Sequence, residues 1–345
     1  MTGQSEVELA CADLAPALAF FTGVLGFRID RIFPAEEPKV ASLSGHGLRL
    51  RLAPGDGGPG RIRLPCDTLP ATRKLVAPNG TTIEWVLEDP PVDLPRLAPK
   101  FLLVRAVDSP DPDAGRAGML YRDLIPGRQG GRFIASHITI PEPGPVADWV
   151  HYHKVRFQMI FCRRGWVKVV YEDQGEPFIL SAGDCVLQPP RIRHRVLESS
   201  GGLEVVEIGC PALHETLADH DITLPTGRAL PDREFDGQVF LRHVASQTPW
   251  TADAGFERRD TGMRTATRGL ADAVVLRPAA ARVMASLAHD HELLFGFLLE
   301  GSARLRRAAR DHDLGPADAF VIPPDEPWSL EATSPDMALL RVTVG

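Results

Sequence analysis

Two stretches of this chain repeat one another in order and at a near-constant offset, which confines the fold to two copies of one module. YRDLIPGRQGGRFIASHITIPEPG, from Tyr121, matches RRDTGMRTATRGLADAVVLRPAA, from Arg258, with Arg122–Asp123 over Arg259–Asp260 and Pro141 over Pro278. HYHKVRFQMIFCRRG then lies over HDHELLFGFLLEG, so that His151 and His153 meet His289 and His291. GDCVLQPPRIRH lies over ADAFVIPPDEPW, and Pro189–Pro190 meets Pro323–Pro324. The 31 prolines and 31 glycines fall mostly between short apolar-alternating runs, the pattern of strands joined by turns in a sandwich or barrel. The copies span about residues 118–212 and 255–345, with a polar, proline-rich joint near 213–254. Helical periodicity is convincing only from Leu14 to Leu25, where Asp13 can cap the first turn and Gly26 can end the last. The chain is expected to be mainly β.

Within the first copy, WVHYHKVRFQMIFCRRG carries polar residues that sit badly in a plain core. A buried polar group without a partner costs roughly 1–3 kcal/mol, and a metal ion is one way to offset that cost. Residues i and i+2 of a strand share a face, so His151 and His153 can hold one ion with both imidazoles. Gln158 has the opposite parity and joins them only if a turn or bulge intervenes. Taken alone, the H-x-H also fits a pair of histidines on a wet strand face.

Gly144, His151, His153, Gln158 and Gly165, followed by Gly183, Pro189 and His194, resemble the two motifs of the cupin superfamily, and the duplication resembles its two-module members, the bicupins. The resemblance implies two tandem double-stranded β-helix (jelly-roll) barrels, with an ion held inside the first by His151, His153, Gln158 and His194. Three imidazoles and one side-chain oxygen suit Fe(II), Mn(II), Ni(II), Cu(II) or Zn(II). Open coordination positions would imply binding of substrate or oxygen rather than a structural role. The commonest cupin pattern has glutamate where Gln158 stands; four neutral ligands leave the ion its full charge and favour an anionic ligand. Arg156, Arg193 and Arg195 lie beside the ligands in sequence and are candidates to touch substrate, although strand alternation can aim them outward. His137, on the strand leading into the H-x-H, is a candidate hydrogen-bond partner of a ligand or substrate. In the second copy Trp328 stands in place of the second-motif histidine and Leu294 in place of the glutamate, leaving His289 and His291 as a two-histidine remnant. That barrel is expected to be structural or a secondary binding pocket rather than a second catalytic centre, with His312 facing solvent.

The N-terminal part, through VELACADLAPALAFFTGVLGFRID and APNGTTIEWV, resembles one βαβββ unit of the vicinal-oxygen-chelate (glyoxalase-like) superfamily. Glu6 and Glu84 fall near that family's ligand positions, but one short unit is expected to serve packing or dimerisation. The expected division is 1–92 for this α+β unit, 93–225 for the first barrel and 226–345 for the second.

The 345 residues carry a net charge of −7, with arginines scattered among acids, which argues against a nucleic-acid footprint. No apolar run approaches about 18 residues, so no membrane helix is expected. MTGQSEVELACADL lacks the basic and apolar regions of a signal peptide. Five cysteines, odd in number and without C-x-x-C, suggest a reducing cytoplasm, and Cys162 and Cys185 read as small buried hydrophobes. HETLADHD, from His214, lacks the four-residue histidine spacing of a helical zinc site and reads as a solvated loop or short helix; GDGGPG reads as a flexible turn. The functional expectation is a bicupin enzyme with one divalent metal ion per chain, iron foremost, acting as an Fe(II)-type dioxygenase on a small anionic molecule, with a homodimer as a plausible assembly. The alternatives are a non-redox isomerase, lyase or cyclase, for example on a sugar acid, or a sensor that binds without turnover.

Overall fold

The computed structural model describes residues 6–34, 38–55, 57–253, 255–279, 283–308 and 310–345; the first five residues of the stretch read against a signal peptide lie outside them. The chain forms two compact units, Met1–Pro91 and Val92–Gly345. Among the described residues no helix is long and apolar enough to cross a membrane.

In the first unit Asp13 caps the helix Leu14–Gly23 by accepting from the Ala15 amide at 3.3 Å. Its buried stripe, Leu14, Ala17 and Phe21, joins one apolar core with Leu43, Leu50 and Leu52. Strand Val7–Ala10 runs parallel to Leu48–Ala53, with Val40–Gly45 and Arg28–Phe33 beyond it, so the order of elements is βαβββ. Glu6 lies 3.6 Å from Arg49, whereas Glu84, on a separate three-stranded sheet, lies 3.2 Å from Arg61 and 3.6 Å from Lys74. Each carboxylate is engaged by cations, an environment opposed to binding a metal ion.

The second unit contains the two barrels. In the first, Cys185–Leu187, Phe157–Arg164, Leu203–Cys210, Ile134–Ile140 and Leu120–Asp123 lie side by side in that order. Ala319–Ile322, Leu293–Glu300, Ala338–Val344, Ala271–Pro278 and Phe256–Asp260 repeat the order in the second. Phe157, Met159 and Phe161 point away from their own barrel and pack with Phe295, Phe297 and Val342 of the other, all 0–1% exposed. Cys162 and Ile160 of the same strand face their own interior. Such a strand is apolar on both faces, which is why the FQMIFC run loses the simple alternation of its neighbours.

Two short strands cross the barrel boundary expected at 225/226. Leu102–Val104, which precedes the first barrel, pairs with Ala319–Ile322 of the second. Leu241–His243, which precedes the second barrel, pairs with Cys185–Leu187 of the first. Each barrel's long sheet is therefore completed by a strand from the arm that leads into its partner.

The second barrel's interior is filled. Phe320 and Trp328 are 0% and 2% exposed beside Leu294, Leu305 and Leu330, and the Phe320 ring occupies the space a side chain at Gly296 would need. His289 gives its Nε2–H to the Ile322 carbonyl at 3.0 Å and His291 its Nδ1–H to that of Gly345 at 2.7 Å. His312 packs on Phe101 rather than standing in solvent, with ring centres 5.4 Å apart. Among the described residues no third ligand joins the two-histidine remnant.

Candidate metal centre

The chain leaves the short strand His151–His153 through residues 154–156, which have no regular structure, and enters Phe157–Arg164 on the opposite sheet. That interruption supplies the change of face that Gln158 requires. His194 begins its own strand directly opposite His151 in the antiparallel register. The triad's ligand atoms lie within 4.8 Å of one another, and all three residues are buried.

The decisive detail is on the far side of each ring. His151 Nδ1 lies 2.8 Å from the Trp149 carbonyl oxygen, His153 Nδ1 3.1 Å from that of Glu215, and His194 Nδ1 3.0 Å from that of Ile192. A carbonyl only accepts, so each Nδ1 carries the proton and each Nε2 carries the lone pair. This is the tautomer a metal-ligating imidazole needs, fixed by its outer hydrogen bond. The buried Asp148 carboxylate stands 3.7 Å behind His151. Donor type, tautomer and spacing all fit a divalent ion.

The triad opens into a cavity with about 100 Å³ of water-accessible space. Its walls are mostly apolar, with Ile138, Ile160, Val169, Leu180 and Val205 among them. The polar groups are few. Gln158 lines the cavity and gives its amide N–H to Glu207 at 2.6 Å. Tyr171 stacks on His194 and accepts from Gln188 at 3.0 Å, and burial pushes its hydroxyl pKa well up, so it stays neutral. Arg195 also lines the cavity, and its Nε is buried without a hydrogen-bond partner.

Three expected substrate or supporting contacts lie elsewhere. Arg156 turns to the second barrel and pairs with Glu292 at 2.9 Å. Arg193 pairs with Asp219 at 2.9 Å and covers the Tyr152 ring at 4.3 Å. His137 faces out of its barrel: it bonds Glu204 at 2.9 Å, receives Arg122 at 3.2 Å and packs on Phe297 of the other barrel. Sequence reasoning missed Glu207 and Tyr171. It also placed His214 in solvent, whereas that ring packs edge-on against His153 at 5.2 Å. Cys162 and Cys185 are buried free thiols, and burial raises both, that of Cys162 to about 12, so neither is poised as a nucleophile.

Residues 137–209 match the Cupin domain family. Both barrels have the cupin-like fold. Residues 279–343 match the AraC-like ligand binding domain family. No curated protein matches the chain. Among solved structures, an oxalate decarboxylase from Bacillus subtilis is similar over 73% of this chain and 77% of that one, with 10% identity and a TM-score of 0.52. Protein Ylba from E. coli is similar over 73% and 94%, with 10% identity and a TM-score of 0.53. A salicylate 1,2-dioxygenase from Pseudaminobacter salicylatoxidans is similar over 65% and 76%, with 17% identity and a TM-score of 0.51. At these identities the likeness establishes the bicupin fold, and function has to be argued from the site.

Proposed function

We propose that the first cupin barrel is the active site of a metal-dependent enzyme that takes a small, largely apolar molecule by one anionic head, and that its reaction is a dioxygenation. The observation that carries this reading is the set of three imidazoles, each fixed with its Nδ1–H on a main-chain carbonyl, at the polar end of an apolar cavity. His151, His153 and His194 would hold the ion, with Gln158 as the oxygen donor. A bound Fe(II) would supply Lewis acidity and electron transfer to oxygen.

The chain's own groups divide the remaining work. The apolar walls exclude water and bury the body of the substrate. The anionic head is left to the few polar groups beside the triad. Tyr171, accepting from Gln188, has its own O–H to donate to that head. A sugar acid fits poorly, because its several hydroxyls would meet Ile138, Val169 and Leu180 where they need hydrogen-bond partners. The second barrel matches a ligand-binding family but is filled by Phe320 and Trp328, so ligand chemistry belongs to the first.

Oxygen uptake by Fe(II)-loaded protein tests this against aromatic hydroxy acids, diketones and keto acids. Consumption of oxygen with one of these, absent when Zn(II) replaces Fe(II), is expected. Turnover undiminished with Zn(II) under anaerobic conditions would assign a non-redox reaction instead.

A further inference from the structure

Glu207 is the anomaly of the cavity. It projects from Leu203–Cys210 into the same space as Ile160 and Val205, and among the described residues it has no basic partner. Its hydrogen bond is the one from the neutral Gln158 amide. An ionised carboxylate against apolar walls is costly to desolvate, and one neutral donor does not offset a full charge. The triad lines the same cavity, so an ion held there would put positive charge near this carboxylate.

The hydrogen bond also fixes Gln158. A carboxylate only accepts, so it takes the amide N–H and turns the amide oxygen, the end able to ligate a metal, away from itself. Glu207 lies outside the group of ligand atoms that share a 4.8 Å neighbourhood, so it acts from behind Gln158. The two residues are 49 apart in sequence and meet through the pairing of their strands, with Gln158 opposite Gly209.

We infer that Glu207 supplies the negative charge of the metal centre from outside the ligand set, holding Gln158 with its amide oxygen toward the ion. The pair divides between two side chains what a single glutamate at position 158 would provide. This inference rests on the metal reading of the triad. Glu207 is a positioning residue, and removing such an outer partner typically weakens metal binding about 10- to 100-fold.

The experiment titrates full-length apoprotein with Mn(II) alone and Zn(II) alone, in competition with a chelating dye. Glu207→Gln is expected to weaken both ions about 10- to 100-fold. Gln158→Glu combined with Glu207→Gln restores wild-type affinity by moving the charge to the ligand position. The apoprotein's Tm is expected not to fall in Glu207→Gln, since the variant keeps the side chain's shape and removes a charge set against apolar walls; a merely structural residue would lower it. Glu207→Met, which deletes charge and hydrogen bond with an unbranched apolar side chain, is a second variant and is expected to bind at least as weakly. Wild-type affinity in Glu207→Gln, or no restoration in the double variant, overturns the inference while the triad stands. Failure of the wild type to hold either ion overturns the metal reading and this inference with it.

Discussion

His137 shows how a side chain's neighbours, rather than its place in the motif, decide its task. Its Nε2–H goes to Glu204 and its Nδ1 accepts from Arg122, a pattern open only to the neutral ring. Burial lowers its pKa, with the Arg122 charge adding to the effect, while the hydrogen bond from His137 leads in holding Glu204 down at about 2. Because the unfolded chain takes up these protons first, stability is expected to fall as pH drops below about 6.5, and again below about 4.5 toward 2. His137→Gln should flatten the upper step in urea titrations across pH; a step of unchanged size would remove His137 as its source. The triad itself was legible, because i, i+2 spacing and the second motif place its imidazoles. Glu207 was not, because strand pairing over a long separation brings it beside Gln158.

Among the elements, the long central strands show most clearly what duplication preserves. Each has a bulge at its far end, at Cys162/Arg164 in one and Leu298/Glu300 in the other, and aligning the bulges sets Leu294 level with Gln158. The ligand position has thus been given over to packing in the second barrel. Phe320→Ala should cost about 3–5 kcal/mol by opening that interior. It should leave the metal content of the first barrel unchanged, which metal analysis of the folded variant checks. The order of strands was readable from the repeat. The exchanged arms were not, since LLV and LRH are three-residue pieces whose partners lie more than fifty residues away.

For the whole molecule, the consequence of those arms is that neither barrel is complete alone. Phe157 and Phe161 bury against Phe295 and Phe297, and each long sheet ends on the other's arm. The two barrels should therefore open as one unit. Hydrogen exchange tests this directly: amides of Phe157–Arg164 and Leu293–Glu300 are expected to share one opening free energy, and faster global exchange in one set would contradict it. Everything functional, however, rests on the triad. The most direct measurement is the metal content of protein purified without chelator, beside a His151→Ala, His153→Ala double variant that still folds. The expected result is about one divalent ion per chain in the wild type and none in the variant. No ion in the wild type under metal-replete conditions, or an equal amount in both, would contradict the metal centre.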